Sequence, residues 1–115
     1  MKPKTVCGVL LVSAGLGCGA SIPPPNDQWA AAQADVGRAQ AGGAPANPDA
    51  RLHLQLAQED LQRAKQLIGE DNRRATTLTE LARVEAQLAF NLAQDSDVQR
   101  QASQAQAELQ KASNR

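Results

Sequence analysis

Tyrosine is absent from this 115-residue chain, histidine and tryptophan occur once each, and aromatic residues make up only 2% of it. Cysteine occurs twice, at Cys7 inside what reads as a leader and at Cys18 just after it. With His53 alone and no free cysteine expected, neither a nucleophile–base triad nor a histidine-based metal site is predicted, so the expectation is no catalysis, no metal and no cofactor. Excess charge of either sign is also missing: twelve basic and twelve acidic residues cancel, which leaves no basic footprint for nucleic acid. No strand pattern precedes a glycine-rich loop, so no phosphate cradle and no small-molecule substrate are predicted. The 42% apolar content is largely alanine, which promises a thin core in one small domain.

What the chain does have begins with residues 1–17, read as a signal peptide: Lys2 and Lys4, an apolar run over residues 6–16, then small residues. That run is too short for a membrane span, which needs about 20 apolar residues. Gly17-Cys18 resembles the end of a bacterial lipobox, which implies that Cys18 is lipidated, carries palmitate and becomes the first mature residue. A lipobox favours leucine three places before the cysteine, where Gly15 stands and Leu16 follows one place late. The alternative is an ordinary cleaved signal ending near Ala20. Cleavage before Cys18 removes Cys7, Lys2 and Lys4, leaving ten basic and twelve acidic residues, a formal charge of −2. No intramolecular disulfide is then available. Gly19 in place of an inner-membrane retention aspartate points to the outer membrane, with the chain facing the periplasm.

Residues 18–26 comprise the lipidated cysteine and a linker whose Pro23, Pro24 and Pro25 favour extended polyproline II and are expected to hold the domain off the lipid surface. The helical domain occupies residues 27–115. Its first helix, about 27–40 with Asn26 or Asp27 as cap, places Trp29, Ala32, Val36 and Ala39 at helical spacing. Trp29 is either an anchor laid against the rest of the domain or a contact for membrane or partner. Gly42, Gly43, Pro45 and Pro48 break the chain, and Asn47-Pro48 is a cap followed by proline at the first helical position.

The organising stretch is an αα-hairpin. Leu54, Ala57, Leu61, Ala64 and Ile68 follow one another at alternating steps of three and four on one face of a helix over about 49–68. Gly69 sits where a C-terminus wants positive φ, and Asp71 or Asn72 can cap the next helix. A connection this short fits antiparallel neighbours. The third helix, about 72–113, answers with Leu78, Ala82, Ala86, Ala89 and Ala93. The expected fold is all-α: an αα-hairpin with a short N-terminal helix and a long C-terminal one, three helices up and down.

After residue 93 two readings stay open: Ser96 with Gln99 can form a capping box for a separate helix, or the helix continues. If it continues, Leu81, Val84, Leu88, Asn91, Asp95, Val98, Ala102, Ala105, Leu109 and Ala112 form a second stripe which, at an advance of about 100° per residue, lies on a different side from the Ala82, Ala86, Ala89 and Ala93 face. That stripe is either a second working face or part of a solvated, alanine-rich tail. The candidate partner-binding residues are Leu81, Val84, Leu88, Val98, Leu109 and Trp29. The remaining charges read as solvated faces: Asp35 with Arg38, Glu59 with Arg63 and Glu80 with Arg83 as exposed helical pairs, Glu59-Asp60 with no pocket to raise a pKa, and His53 as a surface residue.

The run from Ala41 to Ala89, with Ala44-Pro45, Gly69-Glu70 and Leu81-Ala82-Arg83-Val84-Glu85-Ala86, resembles the bacterial envelope family labelled domain of unknown function 4398, over about residues 27–95. The departure from its pattern is Asp71-Asn72 in the turn. The resemblance implies an envelope location and no known activity. Some relatives carry a peptidoglycan-binding domain after this region, and none is expected in the residues that follow here. Two functions from different classes fit: a non-catalytic protein-interaction module held at the membrane by its N-terminal lipid, and a self-associating structural spacer. Asn91 and Asp95 interrupt the seam that a self-associating coil wants whole, which favours the first, with another envelope protein or the chain itself as partner.

Overall fold

The computed structural model describes residues 21–115, so the signal peptide, the lipidation of Cys18 and the start of the linker lie outside the described residues. Those residues form three helices and no strand: α1 (Asn26–Ala41), a single 3-10 turn (Ala44–Ala46), α2 (Pro48–Leu67) and α3 (Asn72–Ser113). The all-α, up-down-up arrangement is as expected. The helix bounds differ by one residue at α1 and α2.

Local chemistry accounts for most boundaries. Asn47 caps α2 by accepting from the Asp49 and Ala50 N–H groups, both at 3.0 Å, and Pro48 stands first in the helix, where its missing N–H costs no bond. α2 stops at Leu67, one residue early, because Ile68 turns to extended backbone and Gly69 takes φ 91°, a left-handed conformation suited to glycine. Asp71 then caps α3 through Oδ1 to the Arg74 N–H at 3.0 Å, while Asn72 accepts from the Gly69 N–H across the turn. The first cap departs from expectation. Neither Asn26 nor Asp27 caps α1; its turn starts on the carbonyls of Pro24 and Pro25, which accept from Asn26 and Trp29.

The core is small-residue packing with large residues at its margin. Ala32, Val36 and Ala39 of α1, Ala50, Leu54, Ala57 and Leu61 of α2, and Ala82, Ala86, Ala89 and Ala93 of α3 are buried together, flanked by Trp29, Phe90 and Leu92. Leu78, Leu67 and Ile68 are half-buried, and Thr79, fully buried, donates its hydroxyl to the Ala75 carbonyl. Alanine on the inner face of α3 leaves room for close approach of α1 and α2. Gly42 shows how close the fit is: a Cβ there would lie 2.7 Å from Phe90 Cδ2.

α3 runs unbroken through Ser96, which decides for the continuous helix. At about 1.5 Å per residue its 42 residues span about 63 Å, and only the first part has neighbours. From residue 98 onward every residue is exposed.

Candidate functional site

The bundle's orientation is set by a few long-range bonds. The Asn72 side chain donates to the Ile22 carbonyl at 2.8 Å, so the chain entering α1 is fastened to the α2–α3 turn, and Pro25 is buried. Within the stretch read as a Pro-rich linker, the Ile22 carbonyl accepts from the Asn72 amide, and the carbonyls of Pro24 and Pro25 accept from the first N–H groups of α1. At the other end Asn47 Nδ2 donates to the Leu92 carbonyl and Gln94 to that of Gly42. The C-terminal part of α3 projects beyond this second end, opposite to where the N-terminal segment enters.

The candidate partner residues then fall into two groups. Trp29 is turned inward: its indole N–H donates to the Leu61 carbonyl at 3.0 Å, and Lys65 Nζ lies 5.5 Å from its ring centroid. Its anchoring alternative is the one observed, since a half-buried indole N–H needs an acceptor and finds one inside the chain. Leu81, Val84, Leu88, Val98 and Leu109 are exposed, by 45, 61, 38, 63 and 71%. Among the described residues eight large hydrophobics are exposed, and these five lie on one stripe; the others are Ile22, Leu52 and Leu56. The advance of about 100° per residue places the stripe on the side of α3 opposite Ala82, Ala86 and Ala89, away from α1 and α2.

The charges are more structured than their spacing suggested. Asp35 is buried and bridges two arginines, Arg38 at 2.6 Å within α1 and Arg83 at 3.4 Å from α3, so Arg83 serves Asp35 and makes no ion pair with Glu80. His53 is half-buried, with Nδ1 2.5 Å from Glu85 Oε2; a carboxylate only accepts, so the ring N–H donates and joins α2 to α3. Glu59 pairs with Arg63 at 3.6 Å as expected. Asp60, however, is buried, and burial pushes its carboxyl above the usual value; Arg63 at 3.7 Å opposes the shift, and the negative charges of Glu85 and Glu59 add to it. The reading of Asp60 as a plain solvated acid is thereby corrected: the α2–α3 contact removes its water. The Asp35–Arg83 and His53–Glu85 contacts depend on which residues of different helices meet, and spacing within one helix carried no signal of them.

Chemically, these elements bind helices together. Every buried side-chain polar atom among the described residues has a hydrogen-bond partner. No cluster of three or more metal-ligating side chains occurs among them, and no helix of theirs is long and apolar enough to cross a membrane. The grooves are open, one of them running along Trp29, Gln33, Val36, Leu61 and Lys65. No protein-family model, curated protein or solved structure matches the chain.

Proposed function

We propose that this chain is a non-catalytic interaction module of the bacterial cell envelope, tethered by a lipid on Cys18 at the outer membrane and presenting the outward side of α3 to a protein partner. The observation that carries the reading is the gathering of five exposed leucines and valines on one stripe of one helix. Solvated helix faces scatter such residues singly, whereas an i, i+3, i+4 row is how a helix offers itself to another. The segment from Ser21 enters at the α2–α3 turn, so a lipid on Cys18 would leave the projecting end of α3 on the side away from the membrane. The non-catalytic reading is supported by how the polar groups are used: the one histidine is engaged with Glu85 and the buried acid Asp35 with two arginines.

The test is photo-crosslinking in living cells from a photoreactive residue replacing Val98 in the full chain. A covalent product with a protein partner is the expected result; no product from this position would overturn the reading of the stripe as an interface. Globomycin treatment, which blocks lipoprotein signal cleavage, is expected to accumulate the unprocessed chain; unchanged processing would remove the lipid tether.

A further inference from the structure

Very little chain separates the lipid site from the folded body. Only Gly19, Ala20 and Ser21 lie between Cys18 and Ile22, whose carbonyl is held by Asn72 at the α2–α3 turn. Four steps of extended backbone reach about 14 Å at most. Pro23, Pro24 and Pro25 follow that fastening and add nothing to the reach. We propose that the α2–α3 turn is a membrane-contact surface, resting on the phospholipid headgroups of the leaflet that holds Cys18, with α3 standing out from it. This inference rests on the lipid tether proposed above and adds a second interface, separate from the stripe.

The acyl chains on Cys18 draw it into a headgroup layer about 5–7 Å deep, so part of the reach is spent inside that layer. What remains is about the width of a single helix, 10–12 Å at most. Nothing as thick as a second protein layer fits beneath the turn. The turn end presents exposed Ile22 together with exposed Arg73 and Arg74, neither of which pairs with a carboxylate among the described residues. The Cα–Cβ bonds of a helix tilt toward its N-terminus, so these arginines, in the first turn of α3, lean toward the membrane side. A guanidinium fork matches a phosphate. Glu70 and Asp71 stand beside them and balance their charge, with the Asp71 carboxylate taken up by the Arg74 N–H. The lipid therefore supplies the attachment and the arginines its orientation.

Charge and shape disfavour a chain lying flat. Laid on its stripe, α3 would press Asp95, and Glu108 beside the stripe, against lipid phosphates, while Arg100 and Lys111 point to the opposite side. Laid on that opposite side, its projecting part is held off the surface by α1 and α2, which cover the same side nearer the turn. Standing upright, α3 at about 1.5 Å per residue carries Val98 about 39 Å and Ser113 about 62 Å from Asn72, the heights at which the upper stripe meets its partner.

The experiment uses the lipid-modified full chain, purified from membranes and reconstituted into vesicles of phosphatidylethanolamine and phosphatidylglycerol. A donor dye is placed on one new cysteine at a time, Glu70→Cys, Val98→Cys or Ser113→Cys, with the acceptor on the lipid headgroups; the lipid on Cys18 blocks its own sulfur. Energy transfer is expected to be strongest at position 70, weaker at 98 and weakest at 113. Equal transfer at 70 and 113 would mean a chain lying flat, and weak transfer at all three a body standing off the surface; either overturns the proposal. Arg73→Glu with Arg74→Glu puts acids in the first turn of a helix, where they are favourable, so helicity should persist while transfer falls at position 70 and rises at 113. An unchanged gradient would overturn the headgroup contact and leave a bare tether. If the chain fails to float with the vesicles and mass spectrometry finds Cys18 without lipid, the tether falls and the contact with it; if it floats without a gradient, the contact alone falls.

Discussion

Between residues 75 and 93 the third helix buries an alanine or threonine at every turn, whereas from residue 98 to its end it buries nothing. Both halves are alanine-rich and both are helical, yet different physics holds them. In the bundle half, Ala82, Ala86 and Ala89 are small because α1 and α2 lie against them. In the projecting half, the same residue type serves through intrinsic propensity, with glutamine, glutamate and lysine adding favourable terms and local bonds such as Asp97–Arg100 and Gln101–Asp97. Isolated helices of this length are marginal in water, and the tail avoids the nucleation cost because it continues a helix already formed. Alanine thus means close approach in one half and low entropic cost in the other, and only neighbours tell the two apart.

The sharpest way to break the bundle half alone is at its few large buried residues. Leu61 is almost fully buried and its carbonyl receives the Trp29 indole, so Leu61→Ala is expected to cost about 2–5 kcal/mol, measured by urea denaturation, a large part of a small domain's stability. A loss below about 1 kcal/mol would show that the thin core is not what holds α1 and α2 to α3.

The comparison within α3 can be sharpened with one substitution made twice. Ala86 and Ala107 are 21 residues apart, near one side of the helix, the first fully buried and the second exposed. Ala86→Leu should lose about 1–3 kcal/mol by forcing the helices apart, and Ala107→Leu should stay within about 0.5 kcal/mol of the parent. Equal losses at both sites would mean that residue 107 has a packing partner, and that the tail is not free.

How much of this was readable beforehand divides along the same line. Asn47-Pro48, Gly69 and Asp71 act on backbone within a few residues, so their roles follow from neighbours in the chain, and the alanine and stripe faces follow from a period of 3.6. The Gly42–Phe90 contact, the Asp35–Arg83 bridge, the His53–Glu85 bond and the Asn72–Ile22 fastening join residues 32–50 positions apart. They depend on the rotation and stagger of one helix against another, which spacing along a single helix does not encode. Arg83 is the clearest case: a pair with Glu80 was equally legible from spacing, and α1 supplied a better partner in the buried Asp35. The five exposed stripe residues were legible because exposure on the far side of α3 follows from the same period that buries the near side.

The smallest effect sought lies at the α2–α3 seam, where Asp60 is a carboxylate without its full share of water. Its folded-state pKa is raised, chiefly by burial, so the folded chain holds this proton more tightly than the unfolded chain does. The sign follows by linkage. The contribution of Asp60 is fully present below its unfolded value, near 3.8, and is lost as pH rises from there through the raised folded value. Above that window the buried charge opposes folding, partly offset by Arg63. Asp60→Asn keeps the shape and cannot ionise, so its stability relative to the parent should improve between pH 3 and neutrality, read from urea midpoints across that range. A difference that stays flat with pH would show that Asp60 is as well solvated folded as unfolded. A difference that moves the other way would assign the Arg63 pairing more weight than the lost hydration, making this seam a charge-paired contact in place of a dry one.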